Sequence, residues 1–244
     1  MGDLADAFKE RLVEIDAYLD LLDEVQRQVG SGGRAGLRVT EQQQRILHSS
    51  VYLQLYNLVE STITRCVDAI SEAVAAEGRW RPHDLSEQLR RQWIRSILGA
   101  HDDPSLENRF EEIVRLTNAI IAARPISRFT IAKGGGGNWD DTQIEKFTER
   151  RLGFTLNIPS TLRTEIKRRR RDDRGALELI RKLRNALAHG HLSFEQCGAN
   201  DTVSDLRLLK KWTAEYLREV VLQFEAFIEA HEFLQPGCRP GAVE

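Results

Sequence analysis

The sequence predicts an all-α protein, built as a bundle of long helices. Apolar residues recur at alternating steps of three and four, the period of one helix face, and Pro and Gly clusters fall between those stretches. Alternating apolar and polar runs, the mark of strands, are nearly absent. Composition agrees: 41% hydrophobic and 30% charged residues over 244 positions suit a folded chain long enough to bury a core.

Taken in order, Phe8, Leu12, Ile15, Leu19, Leu22 and Val29 form one stripe, broken at Gln26, and predict a helix over 4–29. Gly30-Ser31-Gly32-Gly33 ends it. Thr40 and Gln43 make a capping-box pattern that opens a second long helix to about Glu77. Its expected buried stripe runs through Leu47, Val51, Leu55, Leu58, Thr62, Val67, Ile70 and Val74. Pro82 and Pro104 bracket a helix holding Leu89, Trp93 and Ile97, and another spans about Ser105 to Arg124, where Pro125 stops it. Ile126 to Ile131 alternates and suggests a short strand, followed by Gly134-Gly135-Gly136-Gly137-Asn138. Helices resume from Asp140 to Arg151, from Ser160 to His189 as one segment, and from about Asp201 to Glu232. These elements suggest a single domain over 1–234, its core roughly 40–232. Pro236, Gly237, Pro240 and Gly241 suggest a disordered tail over 235–244.

Charge and cysteine usage exclude several classes. The net charge of -2 does not advertise a nucleic-acid binder, so such binding must come from local charge. Cys66, Cys197 and Cys238 are far apart and show no CxxC or Cys/His ligand spacing, which argues against a disulfide framework and a zinc site and favours a reducing cytoplasm. The first residues lack the basic front and apolar run of a signal peptide, and Asp6 stands where a myristoylation signal needs Ser or Thr. No apolar stretch approaches the ~20 residues that span a bilayer. The expectation is a cytoplasmic protein with no membrane partner, no metal and no cofactor.

Chemistry concentrates in Arg184-Asn185-Ala186-Leu187-Ala188-His189-Gly190. Histidine exchanges protons near neutral pH, and arginine holds phosphate with a rigid fork of donors. Together they suggest metal-independent cleavage of a phosphodiester, with RNA as the natural substrate because its 2'-hydroxyl supplies the nucleophile. On an ideal helix Arg184 and His189 point roughly 140° apart, whereas Asn185 and His189 share a face. Gly190 reads as a C-cap that ends the helix at His189, letting the backbone re-aim the imidazole and Arg184 reach the same space. The helix end also favours a protonated imidazole. Asn185 is placed to hydrogen-bond His189 or a backbone carbonyl near the break. The bland reading makes Arg184 a surface residue and His189 a cap. His191 either replaces His189 or joins it as a second basic group.

Other residues carry weaker signals. The run Lys167-Arg168-Arg169-Arg170-Arg171 reads either as a guide for a polyanion on the helix leading to Arg184 or as a solvated face partly neutralised by Asp172 and Asp173. Tyr52, Tyr56 and Glu60 repeat every four residues, as a polar seam between helices or with Glu60 orienting and charging the catalytic group. The glycine tract Gly134 to Gly137 lacks the Gly-Lys-Ser/Thr ending of a P-loop and reads as a mobile turn.

Arg184 to His189, followed by Gly190-His191-Leu192-Ser193-Phe194, resembles the HEPN superfamily (higher eukaryotes and prokaryotes nucleotide-binding), in a bacterial nuclease-like branch. Its nuclease members carry an Arg, four to six residues and a His, usually with a polar residue after the Arg. Leu55-Tyr56-Asn57-Leu58-Val59-Glu60 and Gly137-Asn138 extend the similarity over roughly 40–230. The resemblance implies a bundle of long antiparallel helices, to which the N-terminal helix and inserted loops are additions. It also implies a homodimer with two motifs facing one cleft, and metal-independent RNA cleavage in toxin–antitoxin, abortive-infection or other antiviral systems. Arg184, Asn185 and His189 would be the catalytic set, supported by Glu60 and His191, with Lys167 to Arg171 binding RNA and an antitoxin or defence-system protein as partner. The expected products are a 2',3'-cyclic phosphate and a 5'-hydroxyl. The rival reading is a non-catalytic helical module that binds a nucleotide or a protein; a weaker one is a transferase using the glycine tract.

Overall fold

The structure, a computed structural model, describes residues 2–30, 39–98, 106–132 and 138–241. It is all-α. In chain order the helices are α1 (Gly2–Gly30), α2 (Glu41–Ala75), α3 (Glu87–Leu98), α4 (Leu106–Ile121), α5 (Asp141–Phe147), α6 (Ser160–Lys167), α7 (Ala176–Ala188), α8 (Phe194–Gly198) and α9 (Val203–Glu229). No helix among the described residues is long and apolar enough to cross a membrane.

The chain groups into two compact units. One comprises 1–62, 138–141 and 158–221; the other comprises 63–137, 142–157 and 222–244. In the first unit α1 buries Phe8, Leu12, Ile15, Leu19, Leu22 and Val25, so the stripe passes through Val25 where Gln26 had seemed to interrupt it. Its polar side is tied to α9: Arg207 donates to Asp20 and Asp23, and the Lys210 ammonium lies 2.8 Å from Asp16. The Tyr18 hydroxyl donates to the Leu47 carbonyl of α2 at 3.0 Å. On α2 itself Val51, Leu55, Leu58 and Thr62 are buried as the periodicity predicts. Leu47 is half-buried.

Around the motif the structure differs from the sequence reading in two places. The segment from Ser160 to His189 is two helices, because α6 stops at Lys167 and α7 starts after Gly175. Arg168 to Arg174 bend between them, with Asp172 and Asp173 both at a left-handed φ of 57°, and the Arg170 amide closes the bend on the Arg174 carbonyl at 2.9 Å. Gly175 is needed there, since a Cβ would stand 2.7 Å from the Ile166 carbonyl oxygen. The short helix α8 also went unseen; Ser193 and Gln196 cap it reciprocally. Gly198 at its end packs so closely on α2 that a Cβ would lie 2.0 Å from the Arg45 carbonyl oxygen.

In the second unit, α3 packs against α4 and against the π-helical turn Thr148–Leu152 that continues α5. That turn replaces the last α-helical residues expected before Arg151. Ile126 to Ile131 form no strand; Ile126, Phe129 and Ile131 are buried in irregular chain, and the Ile126 amide donates to the Trp80 carbonyl. An isolated antiparallel bridge joins Leu85 and Leu234, and the Gln235 amide donates to the Asp84 carbonyl at 2.8 Å. Residues 235–241, expected as a disordered tail, therefore begin with ordered chain and a 3-10 turn, Pro236–Cys238. The glycine tract Gly134 to Gly137 lies outside the described residues.

Candidate active site

Helix α7 presents the motif. Ala176, Leu177, Leu179, Ile180, Leu183 and Leu187 are its buried side, which places Arg184 and Asn185 at the margin and leaves His189 exposed at the end. Gly190 ends the helix with φ 70°, donating its amide to the Leu187 carbonyl at 3.2 Å, while the His191 amide donates to the Ala186 carbonyl at 2.8 Å. That paired arrangement is a Schellman motif, and it requires the left-handed residue that glycine supplies at least cost. Both histidines are thereby held in solvent at one helix end, with ring centroids 6.0 Å apart.

Arg184 is held on its other side. Its guanidinium lies 3.8 Å from the centroid of the buried Tyr56 ring, 3.4 Å from the Glu60 carboxylate, and donates to the Asn185 side-chain oxygen at 2.7 Å. Asn185 in turn donates to the side-chain oxygen of Asn138 at 2.9 Å. Burial pushes the Tyr56 phenol up, against the lowering pull of Arg184. A cation over an aromatic face with a carboxylate at its edge is fixed in direction, and the Arg184 side chain is 23% exposed.

The structure gives two of these residues particular partners. Glu60, read as part of a polar seam or as orienting and charging the catalytic group, pairs with Arg184. Asn185 bridges Arg184 to Asn138 rather than bonding His189, which lies past it at the capped end. Tyr56 and Asn138 were noticed without this role. Tyr56 sits four residues before Glu60 on the same helix face, a spacing that could have revealed the pair as a cradle for one cation. Asn138 is far away in sequence and gave no such signal. The neighbouring Asp140, buried, pairs with Arg181 at 3.0 Å and holds residues 138–141 against α7.

The basic run divides. Lys167, Arg168 and Arg169 are exposed, and Arg168 pairs with Glu165 at 3.2 Å. Arg170 folds back onto the Glu165 and Arg168 carbonyls. Arg171 turns inward to the Cys197 carbonyl at 2.6 Å and stands 3.6 Å from Asp201, whose other oxygen accepts from the buried Tyr52 hydroxyl at 2.9 Å. Tyr52 thus belongs to a structural cluster. Burial raises the Asp201 carboxyl, opposed by the Tyr52 bond and by Arg171, and the neighbouring Cys197 thiol is pushed up to about 11, chiefly by burial.

The all-α fold, with Arg184 and His189 near a capped helix end, fits the HEPN class. The family model of the MAE_28990-like HEPN proteins matches residues 2–233, and the chain is a member of that family. The match runs through both compact units and includes α1, which had seemed an addition. No curated protein and no solved structure matches the chain.

Proposed function

We propose that this HEPN protein is a metal-independent endoribonuclease. The observation that carries the reading is the end of α7, where a Schellman turn holds His189 in solvent just beyond an arginine fixed by Tyr56, Glu60 and Asn185. An exposed site suits a polymer, whose phosphate can be brought to a surface, better than a small molecule, which needs a concave pocket. His189 exchanges the proton of the 2'-hydroxyl or of the leaving 5'-oxygen, and Arg184 balances charge on the phosphorane-like transition state. Asn185 and Glu60 keep Arg184 in place. Cleavage leaves a 2',3'-cyclic phosphate and a 5'-hydroxyl. A homodimer, a cytoplasmic setting and a toxin or antiphage role restrained by a partner protein extend the same proposal, and rest on family likeness.

The test is cleavage of RNA in excess chelator. Arg184→Ala and His189→Ala are each expected to lower the rate a hundredfold or more, with melting of His189→Ala near wild type because its side chain is exposed. A specific observation favours a second reading: Arg184 is so well tied within its unit that a structural role would explain it. Under that reading the protein binds RNA or a nucleotide without cutting, and Arg184→Ala loses stability while no chain end is ever produced.

A further inference from the structure

We infer that the groove between α1 and α2 is a nucleobase subsite, which takes one unpaired base of the RNA strand whose phosphate is held at Arg184. The inference rests on the ribonuclease reading for its ligand, and it gives α1 a function of its own.

A cavity of about 310 Å³ lies in that groove. Its α1 wall is Arg11, Glu14, Ile15 and Tyr18, whose steps of three and four residues make them one face of the helix. Its α2 wall is Gln54, Asn57 and Leu58. Ile15 and Leu58 are buried and supply apolar surface. The other five bring an aromatic ring, two amides, a guanidinium and a carboxylate. The Tyr18 ring is tethered by its hydroxyl, which donates to the Leu47 carbonyl at 3.0 Å.

Three features match a base rather than another part of a nucleotide. The volume stands at the low end of the ~300–1,000 Å³ that small-ligand clefts span, so it suits one flat ring and not a duplex. Arg11 and Glu14 bring opposite charges, so the lining has no net charge to draw in a phosphate. An aromatic ring beside side-chain amides is the combination that reads unpaired bases. The ring offers stacking, and each amide pairs its donor and acceptor with a base edge.

Position links the groove to the strand. Gln54, Asn57 and Glu60 follow one another at three-residue steps on α2, so successive Cβ atoms stand roughly 5–6 Å apart. Glu60 is 3.4 Å from the Arg184 guanidinium. The Asn57 end of the groove is therefore about one helical turn from the group that holds the phosphate, within the reach of a single nucleotide. Groove and cradle also belong to the same compact unit.

The experiment uses the full chain and chimeric oligonucleotides with a single ribonucleotide, so that one phosphodiester alone can be cut. The base on either side of that bond is varied through all four. At one of the two positions wild type is expected to cut the best base about tenfold faster than the poorest. Gln54→Ala and Asn57→Ala should each erase most of that difference by slowing the best substrate and sparing the poorest. Melting should stay near wild type, because Asn57 is exposed and Gln54 half-buried. Tyr18→Leu should raise KM about tenfold for all four bases with kcat unchanged, since every base shares a stacking platform. Equal cutting of the four by wild type, or a preference that survives both amide variants, overturns the subsite and leaves the ribonuclease reading standing. An equal loss on all four in the amide variants overturns it too, since a disturbed fold gives that result. Failure of the ribonuclease reading looks different: wild type leaves every oligomer intact. Affinity for the same series with a 2'-O-methyl group then decides the subsite. A base preference there that the amide variants abolish upholds it, and uniform affinity ends it.

Discussion

At the scale of single residues, the most consequential pair outside the motif is Asp201 with Tyr52. Burial raises the Asp201 carboxyl above its ordinary value of 3.8, so the folded chain binds that proton more tightly than the unfolded one. Its contribution to stability is therefore full below 3.8 and is lost as pH rises through the raised value. Asp201→Asn keeps an oxygen for the Tyr52 hydroxyl and removes the titration. The stability of wild type relative to this variant should fall as pH rises above 3.8 in urea melts, and a relative gain would contradict the assignment. Arg171 is the companion case. Its guanidinium serves the Cys197 carbonyl, so Arg171→Gln should cost about 1–3 kcal/mol by stranding buried acceptors. The sequence showed five equivalent basic residues; which of them turn inward depends on a bend that periodicity does not encode.

At the scale of elements, the bend between α6 and α7 and the end of α7 carry the proposed chemistry. Gly190 has open space around its Cα, so Gly190→Ala meets no clash and pays for φ 70° alone, about 1 kcal/mol. Because His189 sits at that turn, the same variant should lose cleavage out of proportion to its modest drop in melting temperature. Equal activity in the two proteins would mean that the turn does not position it. Replacing Lys167, Arg168 and Arg169 with Gln should leave melting unchanged and flatten the salt dependence of RNA affinity by roughly 2 units of log–log slope. An unchanged slope would make the exposed part of the run a solvated bend. Long helices were legible because α1 and α2, 29 and 35 residues long, each carry a stripe consistent over several turns. The breaks near Gly175 and Ser193 were not, since a close approach to Ile166 and a cap on a helix of one turn are tertiary facts. The motif was legible as residues, while its cradle was half so: Tyr56 and Glu60 share a face of α2, but Asn138 reaches the site through folding.

At the scale of the whole molecule, the family match over 2–233 fixes the class of the chain, and its assembly is open to measurement. Sedimentation at micromolar concentration is expected to show a homodimer; a monomer with full specific activity would remove that part of the proposal. The first compact unit also has a consequence for synthesis. It is gathered from three separate stretches of chain, and its ties span 124 residues between Glu60 and Arg184, 149 between Tyr52 and Asp201, and 184 between Asp23 and Arg207. A ribosome delivers the first of each pair long before the second, so the cradle around Arg184 stays unbuilt through most of translation. Chains released at about residue 200 should be sensitive to protease in the 1–62 stretch and inert towards RNA. A copy that stops short of α9 lacks the partners of Asp16, Asp20 and Asp23, so α1 would gain these polar ties only when that last helix is made.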